Sequence, residues 1–136
     1  MKLSGSCLCG NVQITIPDIS QEITVCHCHM CQKFFGSPFL SLQELASDQF
    51  TLKGEESVHR YSSSPWAERG FCKNCGSSLF YHALEGGYFF PAGLFEKITG
   101  TITEEICYDN KPDFYQLNNN AKKFTEEEFL THLFKE

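Results

Sequence analysis

Residues 25–32 read VCHCHMCQ, in which Cys26, Cys28 and Cys31 interleave with His27 and His29. Cysteines two apart on an extended chain point to one side and cysteines three apart bracket a tight turn, so this stretch is a compact set of metal ligands. Of the eight cysteines in 136 residues, seven fall into such spacings: Cys7 and Cys9, the triple, and Cys72 and Cys75. Zinc holds thiolates at about 2.3 Å in a tetrahedron, which brings their sulfurs within roughly 4 Å of one another, and local spacing achieves this cheaply. In FCKNCG, Gly76 allows the backbone curl of a zinc knuckle.

Seven ligands do not divide into two closed sites of four. The economical partition is one four-cysteine site and one three-cysteine site with an open position, the difference between structural and catalytic zinc. Spacing permits two versions. Cys28, Cys31, Cys72 and Cys75 would form a ribbon-like site and leave Cys7, Cys9 and Cys26. Alternatively Cys7, Cys9, Cys72 and Cys75 close one site and leave Cys26, Cys28 and Cys31. The second is preferred, because three ligands within one short segment need no help from elsewhere.

The rest of the chain bounds the class. One domain over residues 1–136 is expected, since that length closes a single core. An apolar fraction of 41 %, with thirteen Phe and five Tyr, argues against disorder. No apolar run approaches the 18 or so residues of a membrane span, and MKLSGSCLCG lacks the apolar core and cleavage site of a signal peptide. A cytosolic protein is therefore expected, and in that compartment cysteines point to metal or catalysis rather than to disulfides. A formal charge of −6 and no basic run longer than Lys122 and Lys123 argue against nucleic acid as a partner.

Alternation of Val12, Ile14 and Ile16, broken at Pro17 and Asp18 and resumed at Ile23 and Val25, predicts two strands. Further β-rich stretches are Ser37–Leu42, Phe50–Lys53, Val58–Tyr61, Arg69–Phe71, Ser78–Tyr81 and Tyr88–Phe90, separated by turn residues. Many short strands predict a mainly β domain. The exception is a C-terminal helix at about residues 125–135. Thr125 and Glu128 form a capping box, Phe124 and Phe129 a staple, and Phe129, Leu130, Leu133 and Phe134 share a face.

GSCLCGNV, CHCHMCQKFFGSPF and ERGFCKNCGSSLFY, in this order, resemble the glutathione-dependent formaldehyde-activating (GFA) family, whose domain also occurs in centromere protein V. The resemblance runs from about Gly5 to Tyr115. It implies a β-tent fold of small antiparallel sheets pinned by two zinc ions. It further implies that Cys7, Cys9, Cys72 and Cys75 match the structural zinc ligands, and Cys26, Cys28 and Cys31 the catalytic ones. The family activity is that of a carbon-sulfur lyase, joining glutathione and formaldehyde into S-hydroxymethylglutathione or reversing that. In the late segment EICYDNKPDFYQL, where members often have a His and a Trp, this chain has Glu105 and Phe114.

Three thiolates give a bound Zn²⁺ one net negative charge, which weakens activation of water and favours capture of a fourth sulfur. A thiol substrate attacking a small aldehyde fits such a site; a non-enzymatic zinc module for folding or protein interaction is the competing expectation. An acidic substrate would need a cation. Arg69 is the best candidate, ahead of Arg60, Lys33 and Lys73, although each is better explained as a surface cation or an ion-pair partner. His27 and His29, on alternating positions, point away from Cys26 and Cys28 if the segment is extended; they are expected to be supporting or exposed groups, with His27 a possible general acid or base. Phe34, Phe35, Pro38 and Phe39 are expected to pack in the core or to wall a pocket over the metal, Trp66 to anchor a loop or form a lid, and Cys107 to be a buried free thiol.

Overall fold

A computed structural model describes residues 2–17 and 22–133, with the side chains of His132 and Leu133 excepted. Asp18 and Phe134, which figured in the sequence expectations, lie outside these residues. The described chain divides into two compact units, each assembled from segments distant in sequence. Among the described residues no helix is long and apolar enough to cross a membrane.

The first unit takes residues up to 21 and from 42 to 99. Its smaller sheet joins β1 (Lys2–Ser6), β2 (Gln13–Pro17) and β5 (Thr51–Lys53), all antiparallel, in the order β1-β2-β5. The alternation read from the sequence is the reason β2 lies where it does: Val12, Ile14 and Ile16 are buried, and Gln13 between them is exposed. A four-stranded antiparallel meander joins β6 (Val58–Ser64), β7 (Ala67–Cys72), β8 (Ser78–Ala83) and β9 (Tyr88–Phe89). Its core is aromatic. Phe80 and Phe90 are fully buried, and Phe80 meets Tyr88 edge-on at 5.0 Å. Gly70 opposes Phe80 in the β7–β8 register, and a Cβ at Gly70 would run into the Phe80 ring.

The second unit takes residues 22–41 and 100–136. Its sheet has the order β11-β10-β3-β4, from β3 (Ile23–Cys26), β4 (Phe39–Ser41), β10 (Ile102–Ile106) and β11 (Lys122–Lys123). β3 and β4 are antiparallel, but β10 pairs with both β3 and β11 in parallel. Between β3 and β4 lies a short helix, α1 (His29–Phe35), which the sequence reading did not anticipate. Cys28 is its N-cap: the backbone N–H of Cys31 donates to Cys28 Sγ at 3.3 Å, so a cysteine takes the place usually held by Ser or Asp. Gly36, in the left-handed conformation, ends it.

The expected C-terminal helix is α2 (Glu126–Leu133). Its capping box is reciprocal: Glu128 N–H donates to Thr125 Oγ1 at 3.0 Å, and Thr125 N–H donates to Glu128 Oε1 at 2.8 Å.

Candidate functional site

Each unit contains one cluster of cysteine sulfurs that could hold a metal ion. In the first unit the sulfurs of Cys7, Cys9, Cys72 and Cys75 lie within 4.8 Å of one another. Cys7 and Cys9 are 3.6 Å apart, and Cys9 and Cys72 are 3.8 Å apart. Tetrahedral sulfurs at zinc-thiolate bond length stand about 3.8 Å apart, so these two separations match such an ion. The loops that carry the two pairs are built alike. After each pair comes a glycine in the left-handed conformation, Gly10 or Gly76, whose N–H donates back to the carbonyl of Cys7 (3.1 Å) or Cys72 (2.8 Å).

Backbone and side-chain donors face the sulfurs of this first cluster. Val12 N–H donates to Cys7 Sγ at 3.3 Å. The side chain of Ser77 lowers the Cys75 thiol to about 5, and that of Asn74 holds Cys9 low as well. Cys7, by contrast, is raised by burial. A site with two thiols already biased toward thiolate is chemically prepared for a cation.

The second unit brings together Cys26, Cys28 and Cys31, again within 4.8 Å of one another. Cys26 ends β3, Cys28 caps α1 and Cys31 closes its first turn. The hydrogen bond from Cys107 and then that from Cys28 push the Cys26 thiol up; those from Cys26 and Cys28, and then burial, push Cys31 up. Crowded thiols of this kind resist ionising together unless a cation shares their charge.

His27, between two of these cysteines in sequence, is 0 % exposed. Its Nε2 is 2.7 Å from Glu105 Oε1 and its Nδ1 is 2.6 Å from the Tyr115 hydroxyl. Burial alone would raise the Glu105 carboxyl, but the hydrogen bonds of Asn119 and His27 hold it below its ordinary value. An ionised Glu105 only accepts, so Nε2 donates to it, and in the neutral imidazole Nδ1 then accepts from Tyr115. Burial raises the Tyr115 hydroxyl, which keeps its proton available for that bond. Gln32 of α1 fastens the His27 backbone by donating to its carbonyl at 2.6 Å. His29 is exposed at the start of α1.

Sequence reasoning missed Glu105, Tyr115, Asn119 and Gln32 as members of this neighbourhood. The available signal was chemical: a charged pair in ITEEI, flanked by isoleucines, has to find a buried partner. Arg69 lies in the first unit, is buried, stacks over the Tyr81 ring at 4.9 Å and donates from Nε to Ser63 Oγ at 3.3 Å. Arg60 is engaged by Glu68 and Tyr88, at 2.7 and 3.0 Å. Lys33 stands in the last turn of α1 and Lys73 is exposed. Phe35 stacks on Phe39 at 4.1 Å and meets Phe34 edge-on at 5.0 Å. Trp66 and Phe114 are both exposed. A groove of about 710 Å³ in the second unit is lined by Thr101, Ile102, Thr103, Asn119 and Lys122 among others, with no cysteine in its wall.

The sheets, the terminal helix and the two cysteine clusters define a small β protein with capacity for two metal ions. Residues 2–113 match the family model described as glutathione-dependent formaldehyde-activating enzyme, and the chain belongs to that family. It is 34 % identical over 134 residues to a Schizosaccharomyces pombe protein described as an uncharacterized lyase, covering 96 % of both chains. The crystal structure of a Rhodobacter sphaeroides protein is similar in fold, with a TM-score of 0.58 at 18 % identity, over 74 % of this chain and all of that one.

Proposed function

We propose that the protein is a zinc-dependent carbon-sulfur lyase that joins a glutathione-like thiol to a small aldehyde such as formaldehyde, or splits the hemithioacetal. In the forward direction a carbon-sulfur bond forms between the thiol sulfur and the carbonyl carbon, and the thiol proton ends on the carbonyl oxygen. Cys7, Cys9, Cys72 and Cys75 would hold a structural zinc ion, and Cys26, Cys28 and Cys31 a catalytic one, within a single GFA-type domain of the β-tent kind. The observation that carries the reading is the inequality of the clusters: four sulfurs can close a tetrahedron, whereas three within 4.8 Å of one another leave a position for a fourth sulfur. The bound ion would supply thiolate stabilisation for the substrate at neutral pH.

The chain's own residues prepare that chemistry. Glu105, Tyr115 and Gln32 fix His27 at both ring nitrogens and at its carbonyl, and His27 lies between two of the cysteines, so the ligand-bearing turn is held from behind. The partners are small molecules rather than nucleic acid or membrane, and the compartment is the cytosol, where such thiols stay reduced.

The test is metal analysis of protein purified without chelator, combined with exchange spectroscopy of glutathione and formaldehyde. Two zinc ions per chain, one of them more labile, and faster exchange between thiol and hemithioacetal are expected. A single tight zinc ion, or exchange no faster than in buffer, would overturn the reading.

A further inference from the structure

The eighth cysteine is placed by the parallel pairing of β3 and β10. Their register sets Ile106 opposite Cys26, and His27 N–H donates to the Ile106 carbonyl at 3.1 Å. The two segments therefore leave the sheet side by side, and the next residue after Ile106 arrives beside the three-cysteine cluster. That residue is Cys107, which is 5 % exposed and whose thiol acts on that of Cys26, raising it.

The backbone at Cys107 is unusual. Its φ is 53°, the one positive φ outside glycine among the described residues. A residue with a side chain rarely adopts this conformation, because Cβ crowds the following carbonyl. Here it starts the turn over Tyr108–Asn110. Cys107 thus follows the strand end that is paired with Cys26.

We propose that Cys107 supplies the fourth thiolate of the second metal site, completing the set of Cys26, Cys28 and Cys31 when no substrate thiol is bound. The assignment rests on the reading of that cluster as a metal site. The position of Cys107 also makes it the displaceable member. It lies outside the group whose sulfurs are all within 4.8 Å of one another, so it would reach the ion only by a movement of its side chain. Cys26, Cys28 and Cys31 would hold the ion throughout, and Cys107 would be the ligand that gives way to an incoming thiol and takes its proton. A closed resting site of this kind guards the ion from water and admits only ligands that compete with a thiolate.

Cobalt-substituted protein tests the assignment, with Cys107→Ser and with Cys107→Gly, the latter suited to the left-handed backbone and so safe for folding. With two cobalt ions bound per chain, the thiolate-to-cobalt absorbance of the second site is expected to fall by about a quarter in each variant, one thiolate in four. Added 2-mercaptoethanol should restore it in the variants, and should expose Cys107 of the unaltered protein to alkylation by iodoacetamide, read by peptide mass. Two cobalt ions with unchanged absorbance in the variants would overturn the role of Cys107 while leaving a three-cysteine site standing. One cobalt ion in the unaltered protein would remove the second metal site itself, and the proposal with it.

Discussion

Nε2 of His27 lies 2.7 Å from Oε1 of Glu105, and the two side chains are 0 % and 1 % exposed. Lys123 Nζ stands 3.6 Å from the other carboxylate oxygen, which also accepts from Asn119 at 2.9 Å. The carboxylate is thus satisfied on both oxygens, which is the condition under which burying a charge is tolerable.

Removing one member of that pair should be far worse than removing both. Glu105→Ala leaves His27 and Lys123 facing a cavity, and a loss of about 3–5 kcal/mol is expected for breaking a buried pair. Tyr115→Phe deletes one hydrogen bond and should cost about 0.5–1.5 kcal/mol. In urea unfolding followed by circular dichroism, His27→Leu combined with Glu105→Leu should fall well short of the sum of the single losses. Additive losses would mean that the two groups do not act as a unit.

Acid stability should report on Glu68. Burial alone would raise its carboxyl, but hydrogen bonds from His82 and Arg60 hold it below its ordinary value of 4.5. A carboxyl held low in the folded state stabilises above its unfolded value, and that contribution is lost as pH falls through the folded value. The protein should therefore lose stability progressively below about pH 4.5. Glu68→Gln should be less stable at pH 7 and show a flatter decline of Tm on the acid side; parallel curves for the two proteins would rule out this role.

Two glycines with similar backbone angles should respond differently to alanine. Gly54 has φ 92° and a Cβ there would strike the Asn11 carbonyl, whereas Gly10, at φ 84°, has open space around it. Gly10→Ala should cost about 1–2 kcal/mol, the penalty of the left-handed region. Gly54→Ala adds a clash with immovable backbone, for a further loss of about 1–3 kcal/mol. Equal Tm values for the two variants would contradict the close approach.

Metal removal should unfold rather than loosen. If the four-cysteine cluster binds zinc, its binding free energy, about 10–16 kcal/mol for structural sites, is comparable to or larger than the 5–15 kcal/mol net stability of an ordinary domain. Cys72→Ser should lose one zinc ion per chain and fail to show a cooperative melt. A variant that keeps the wild-type Tm without that ion would show that the cluster does not depend on metal.

The parts of this molecule that were readable in its sequence depend on near neighbours. Val12, Ile14 and Ile16 announce β2 by alternation, Thr125 and Glu128 announce α2, and the cysteine spacings bring their own sulfurs together. The missed parts depend on distant ones. α1 was hidden because its N-cap is a cysteine, a residue already explained as a ligand. β10 was hidden because Glu104 and Glu105 interrupt its apolar pattern, and the partner that makes Glu105 tolerable, His27, is 78 positions away. The same parallel pairing that set Cys107 beside Cys26 has no local signature. Nor does any linker mark the two compact units, since each is assembled from separated segments.

The pairing of β3 with β10 also has a consequence in time. His27 is made 78 residues before Glu105, and at the usual 5–20 residues per second the ribosome needs about 4–16 s to deliver the second after the first. Throughout that interval the nascent chain carries three closely spaced thiols without the strand that will enclose them. That segment, the densest in thiols of the whole sequence, gains its neighbouring strand only once residues 102–106 have been made.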